Sequence, residues 1–134
     1  YHGGFMIDLI RCLKYWCREQ LLPKIPSSLL EAMVFNYCKS KFSPLSEFSD
    51  LDISGALQAI HENVLIECID PIGFRGDLNS LSKEDRDTIS KQAFSDYLKA
   101  KSARNFEKTN KVDRAIDKWS ELFGPEFKKY AKQP

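Results

Sequence analysis

The sequence has no long apolar stretch, no strong net charge and no signal segment. No apolar run approaches the ~18–20 residues that a membrane-spanning helix requires, and the N-terminus lacks a basic-then-apolar leader pattern. Twenty basic and nineteen acidic side chains give a net charge of +1, which excludes a long-range field that would recruit nucleic acid or a membrane. We therefore expect a soluble, cytoplasmic protein with no membrane partner.

Metal-binding and catalytic patterns are also missing. The cysteines form no C-x-x-C pair, and no histidine is close in sequence to complete a zinc site. They lie among apolar neighbours, which favours buried thiols, although an even count leaves disulfides open. They are Cys12, Cys17, Cys38 and Cys68. We predict no catalytic residue and no metal ligand in this chain.

Apolar residues recur at intervals of three and four, the period of amphipathic helices. This pattern predicts a first helix over residues 5–22, ended by Pro23 and Pro26. Ser28, with a glutamate three residues later, has the spacing of a capping box. It predicts a second helix over residues 29–41.

The remainder of the chain predicts three more helices. Residues 42–50 are rich in serine and predict a loop. A third helix follows and stops by Asp70, a fourth runs from an N-cap at Ser82 toward Phe106, and a fifth ends at Gly124. With no alternating strand of convincing length, the sequence predicts an all-α bundle of about five helices, forming one domain.

Basic residues are concentrated near the start of the chain. Residues 11–41 contain six basic and two acidic side chains, whereas residues 42–80 contain one basic and seven acidic ones. Arg11, Lys14 and Arg18 are spaced by three and four residues, so one helix can display them on one face. They form an anion site or simply a solvated edge of the helix.

A second basic set lies late in the chain. Lys101, Arg104, Lys108 and Lys111 follow steps of three, four and three, which one continuous helix would align in a stripe. Such stripes are usually solvated faces. If this one binds a partner, a nucleic-acid backbone or an acidic protein suits it better than a specific base. The chain would then be a free-standing helical adaptor.

Four motifs occur in an order found in a known family: LIRCLKYW at residues 9–16, IPSSLLE at 25–31, IDP at 69–71 and GDLN at 76–79, followed by a long alanine-bearing helix. Over roughly residues 5–105, this order resembles the helical C-terminal domain of oligoadenylate synthetases. It is more closely similar to that of the bacterial cyclic-oligonucleotide synthases called CD-NTases.

The resemblance implies that the chain is the C-terminal part of a larger nucleotidyltransferase that makes a cyclic or linear nucleotide messenger in antiviral defence. Lys14 would contact the donor nucleoside triphosphate, such as ATP, and Ser27 and Ser28 would offer hydroxyls or amides to phosphate or base. Arg11 and Arg18 would widen that site. An N-terminal lobe of the same protein would supply a glycine-serine turn and acidic residues that bind Mg²⁺, so this chain alone would not catalyse.

One apparent catalytic signature is rejected on spacing. Gly3-Gly4 and the later Asp50 and Asp52 imitate a glycine turn with alternating carboxylates, but they lie 46 residues apart. Two carboxylates that hold magnesium over a triphosphate must stand close to the turn that grips the phosphates. Asp50 and Asp52 are therefore interpreted as loop and cap residues of the third helix.

Overall fold

The computed structural model describes residues 3–39 and 50–125, and in these ranges the chain forms five α-helices and no strand. They are α1 (Gly3–Glu19), α2 (Ser27–Lys39), α3 (Asp50–Asn63), α4 (Lys83–Lys108) and α5 (Val112–Phe123). The predicted all-α bundle of about five helices is confirmed. Most of the predicted loop at residues 42–50 lies outside the described residues. Within the described ranges, no helix combines the length and apolarity needed to cross a bilayer.

The long helix α4 lies at the centre and packs against α3 and α5. Its buried face includes Ile89 and three alanines that are 0% exposed. These are Ala93, Ala100 and Ala103. Because alanine has only a methyl side chain, neighbouring helices can approach α4 closely.

Helix α1 completes the core and contacts α2, α3 and α5. Leu9, Leu13 and Trp16, at steps of four and three, are at most 1% exposed, so one stripe of α1 is buried and the rest faces solvent. Burial of each such side chain contributes about 1.5–3 kcal/mol. Most of the remaining fully buried large residues come from α2 to α5, including Leu29, Leu57, Ile89 and Leu122.

Helix α1 ends three residues earlier than predicted, and the prolines do not end it. The Leu22 amide donates to the Cys17 carbonyl at 3.0 Å, and the Leu21 amide donates to the Arg18 carbonyl at 3.1 Å. Leu21 has a φ of 53°. This set of bonds around a left-handed residue is the Schellman motif, which satisfies the last carbonyls of a helix.

The other helix ends agree with the sequence to different degrees. The predicted N-cap at Ser28 is wrong: α2 begins at Ser27, the Leu30 amide donates to the Pro26 carbonyl, and Ser28 lies in the first turn. Ser82 is confirmed as the N-cap of α4, because its hydroxyl accepts the Asp85 amide at 3.1 Å.

Residues 64–82 connect α3 to α4 through a loop stabilised by its own polar side chains. The Asp70 carboxylate accepts the amides of Ile72 and Arg75 at 3.0 and 3.2 Å. One oxygen of Asp77 accepts two further amides, both at 2.9 Å. The side-chain amide of Asn79 donates to the carbonyls of Val64 and Ile66, just after the end of α3. The loop therefore uses its polar groups to hold its own backbone.

Candidate functional site

A cleft of about 960 Å³ lies at the corner where α1 turns into α2. Its wall comes from the second half of α1, the connecting segment and the first turn of α2. The lining divides into a basic part and an apolar part. This is a volume in the range of small-molecule sites in proteins, which run from roughly 300 to 1,000 Å³.

Four cations line the basic part: Arg11, Lys14, Arg18 and Lys24. All four are exposed, and among the described residues no acidic side chain lines the cleft. Within residues 3–39 and 50–125, none of them pairs with a carboxylate. Their charge is therefore available to an anion that enters the cleft. The structure brings the three predicted cations of α1 together and adds Lys24, which the sequence analysis did not single out.

Tyr15 holds one of these cations in place. The guanidinium carbon of Arg18 lies 5.7 Å from the centre of the Tyr15 ring, within the range of a cation–π contact. The ring itself remains 37% exposed and lines the cleft. Tyr15 therefore has both a charge partner and an open surface.

The start of α2 adds polar groups to one side of the cleft. Because the first helical hydrogen bond is donated by Leu30, the amides of Ser27, Ser28 and Leu29 have no carbonyl partner within the helix. Ser27 lines the cleft, whereas Ser28 does not. The two predicted serines therefore differ: Ser27 is part of the cleft wall, whereas Ser28 lies next to it in the first turn of α2.

Leucine and isoleucine side chains form the apolar part of the wall. They are Leu21, Leu22, Ile25 and Leu30. Cys17 also lines the cleft, and burial raises the pKa of its thiol to about 11. The thiol therefore stays neutral near pH 7 and adds no negative charge beside the cations. The cleft as a whole suits a ligand with an anionic end and an apolar end.

A buried hydrogen-bond network sets the orientation of α1. The Trp16 indole nitrogen donates to Asp96 Oδ2 at 2.7 Å, and Gln92 Nε2 donates to the same oxygen at 2.9 Å. Asp96 is 0% exposed. Its other oxygen receives no hydrogen bond, and the Lys99 ammonium 3.6 Å away offsets its charge. Trp16 is two residues beyond Lys14, about 200° around the helix, so this bond turns Lys14 outward.

Sequence reasoning missed this network, although one signal was present. Asp96 follows the buried Ala93 by three residues and precedes the buried Ala100 by four. An aspartate in that register of an amphipathic helix must be buried, and a buried carboxylate requires donors. Its position predicts a partner, but only the fold shows that the partner is Trp16.

The second basic set is only partly continuous. Lys101, Arg104 and Lys108 line a shallow depression on α4, and the Lys101 ammonium lies 5.3 Å from the centre of the Tyr97 ring. Helix α4 ends at Lys108, and Lys111 is the N-cap residue of α5. The condition for a continuous stripe is therefore not met at Lys111, because a turn separates it from the three basic residues of α4.

The carboxylates of α3 do not fit a magnesium site. Helix α3 begins at Asp50, so Asp50 and Asp52 are helical and the predicted loop and cap roles are wrong. Asp52 is 0% exposed and accepts the Tyr37 hydroxyl at 3.0 Å. Burial, followed by the nearby Asp52 charge, raises the pKa of Tyr37, which keeps this donor protonated. No three metal-binding side chains converge in the described part of the chain.

The cysteine prediction is borne out in part. All four cysteines are thiols rather than disulfides. Cys38 and Cys68 are buried, whereas Cys12 and Cys17 are partly exposed. Burial is the largest cause that raises the pKa of the Cys68 thiol, and the charges of Asp77 and Asp70 raise it further.

Comparison with known proteins gives one informative similarity. No family model matches the chain. A protein of Bacillus cereus (strain VD146), described as a probable cyclic nucleotide synthase, is 31% identical over 124 residues. The match covers 92% of this chain and 37% of that relative, so the chain spans little more than a third of the relative's length. The sequence of this chain is thus similar to one part of a probable cyclic nucleotide synthase.

Proposed function

We propose that this chain is the nucleotide-binding helical part of a CD-NTase-like nucleotidyltransferase that makes a cyclic or linear oligonucleotide messenger. The observation that carries the proposal is the cleft between α1 and α2, where four cations stand beside an apolar wall and pair with no carboxylate of the described residues. The similarity to a probable cyclic nucleotide synthase supports it. The ligand would be a nucleoside triphosphate such as ATP, and the setting would be antiviral defence in the cytoplasm.

Each cation has a distinct part in this proposal. Lys14 serves a phosphate as a compact point charge, while Arg11 and Arg18 present planar guanidinium forks to phosphate oxygens. The unpaired amides at Ser27 and Ser28 add donors at the positive end of α2. The cleft would hold the triphosphate in position, so that its contribution to the reaction is orientation.

The chemical step would depend on an N-terminal catalytic lobe of the same protein. Mg²⁺ held there would neutralise charge on the triphosphate. The described residues of this chain provide no carboxylate cluster for that ion. The chain alone is therefore expected to bind nucleotide and to form no product.

The first test is the nucleotide sequence immediately upstream of the Tyr1 codon in the source gene. The proposal expects an open reading frame that continues into a lobe with a glycine-serine turn and two or three acidic residues. A start codon at or near Tyr1 would instead contradict the enzyme proposal and favour a free-standing helical adaptor.

The second test is binding of ATP and of inorganic tripolyphosphate to the full chain, measured by isothermal titration calorimetry. Lys14→Ala should weaken both affinities about tenfold, because a charge-assisted contact is lost. Lys101→Ala is the matched control, since this exposed lysine lies on α4 outside the cleft, and it should leave both affinities unchanged. Equal effects of the two substitutions would contradict a role for the cleft.

The alternative function is a helical adaptor that binds an acidic protein or a nucleic-acid backbone through α4. The depression lined by Lys101, Arg104 and Lys108 favours it. The double variant Lys101→Glu and Lys108→Glu would then abolish a salt-sensitive interaction that Lys14→Ala leaves intact. The opposite result, in which only Lys14→Ala weakens binding, would support the nucleotide cleft.

A further inference from the structure

Leu21 occupies a backbone position that leucine seldom adopts. Its φ is 53°, in the left-handed region where the Cβ of an ordinary residue is crowded by its own backbone. The position follows the last turn of α1 in a Schellman motif, where glycine is the usual residue and asparagine the usual substitute. A leucine here destabilises the free chain relative to glycine.

The chain contains a matched case at the end of α4. The Lys111 amide donates to the Phe106 carbonyl at 2.7 Å and the Asn110 amide donates to the Glu107 carbonyl at 3.2 Å. Asn110 has a φ of 61°. The bonds and the left-handed residue repeat those at Leu21, but the residue is the tolerated asparagine. The chain thus places leucine at one left-handed position of this motif and asparagine at the other.

Packing does not account for the leucine. Its side chain is 89% exposed, so it gains almost nothing from burial. Residues held in strained backbone conformations cluster at active sites, ligand clamps and switch regions. Leu21 also lines the cleft between α1 and α2, which places its exposed side chain beside the cations.

Resting on the proposed function, we infer that Leu21 forms an apolar edge against the nucleobase of the bound nucleoside triphosphate. The phosphates occupy the basic part of the cleft, and the base lies against Leu21 with Ile25 in the same apolar wall, while the Tyr15 ring also lines the cleft. A nucleotide joins an anionic chain to a planar ring, and the cleft offers a surface for each. Glycine at this position would leave the base without this contact.

The test compares Leu21→Gly with the matched variant Asn110→Gly in the full chain. The probes are ATP and inorganic tripolyphosphate, which share the phosphate chain and differ in the base. Leu21→Gly should raise the thermal midpoint by about 3 °C, because the left-handed strain is removed. It should also weaken ATP binding about fivefold, through loss of apolar contact, and leave tripolyphosphate binding unchanged.

Two further variants separate contact from geometry. Asn110→Gly should change neither affinity, since Asn110 follows the C-terminal end of α4 and does not line the cleft. Leu21→Met should retain ATP affinity, because it keeps the strained backbone and an apolar side chain. Far-UV circular dichroism confirms that each variant keeps its helical content.

Each outcome of these binding measurements either supports or overturns the inference. Unchanged ATP affinity in a stabilised Leu21→Gly variant would overturn the inference and point to a protein partner as the group that covers Leu21. Equal loss of ATP and tripolyphosphate binding would overturn it as well, by assigning Leu21 to phosphate geometry. If wild type binds both probes with the same affinity, the base subsite fails while the phosphate cleft stands. If wild type binds neither, the proposed function fails with it.

Discussion

The cleft between α1 and α2 and the loop at residues 64–82 both connect two helices, but they use their charged groups in opposite ways. In the loop, Asp70 and Asp77 accept backbone amides at 2.9–3.2 Å. In the cleft, Lys14 and its neighbouring cations are exposed and, in the described ranges, meet no carboxylate. Charges committed to backbone hydrogen bonds stabilise the fold, whereas charges left open are available to a ligand.

The largest effect is expected beneath the cleft, on the buried side of α1. Trp16→Ala removes a 0% exposed side chain and its hydrogen bond to Asp96. The free energy of unfolding should fall by about 3–5 kcal/mol, as measured by urea denaturation. Tyr15→Ala, the adjacent exposed position, should cost less than about 1 kcal/mol. Similar losses at both positions would contradict the division of α1 into a structural side and a cleft side.

An intermediate effect is expected in the loop. Asp70→Ala leaves the amides of Ile72 and Arg75 without their acceptor, and the free energy of unfolding should fall by about 1–3 kcal/mol. Faster amide hydrogen exchange at residues 70–77 would locate the change. Lys14→Ala is the control from the cleft and should alter stability by no more than about 0.5 kcal/mol. A larger loss at Lys14 than at Asp70 would reverse the comparison.

The smallest effect concerns pH. The amides of Asn79 and Cys68 hold the pKa of Asp77 below its ordinary value of 3.8. The folded state therefore binds the proton more weakly than the unfolded state, so this contribution is fully present above pH 3.8 and is lost as the pH falls through the folded pKa. Asp77→Asn should lower the urea midpoint at pH 6, with a difference from wild type that shrinks below pH 3.8. A difference independent of pH would show that the carboxylate charge is not involved.

Local signals predicted most of the architecture. Apolar residues at three- and four-residue spacing located five helices, and the serine at position 82 marked the start of α4 because capping depends on adjacent residues only. The interpretation of Ser28 failed because Pro26 already accepts the first helical bond. The charge pattern left open whether one helix reaches Lys111, because the left-handed φ of Asn110 in the turn after Lys108 is not visible in such a pattern.

Local sequence signals likewise predicted only part of the candidate site. Arg11, Lys14 and Arg18 share a face through helical spacing alone, so the sequence could predict them as a set. Lys24 and Leu21 join them only when α1 ends at Glu19 and the chain turns back along it. Spacing along a helix is a local property, but the wall of a cleft depends on where the helix stops.

By itself, the sequence determined an all-α bundle, the order of its helices and the concentration of positive charge near the start of the chain, because periodicity, capping and composition act over short distances. Only the tertiary structure decided that Trp16 meets Asp96 across 80 residues, that Asp52 is buried against Tyr37 and that a strained leucine stands at the edge of a basic cleft. These features depend on helices brought together from distant parts of the chain, where packing selects the partner of each polar group.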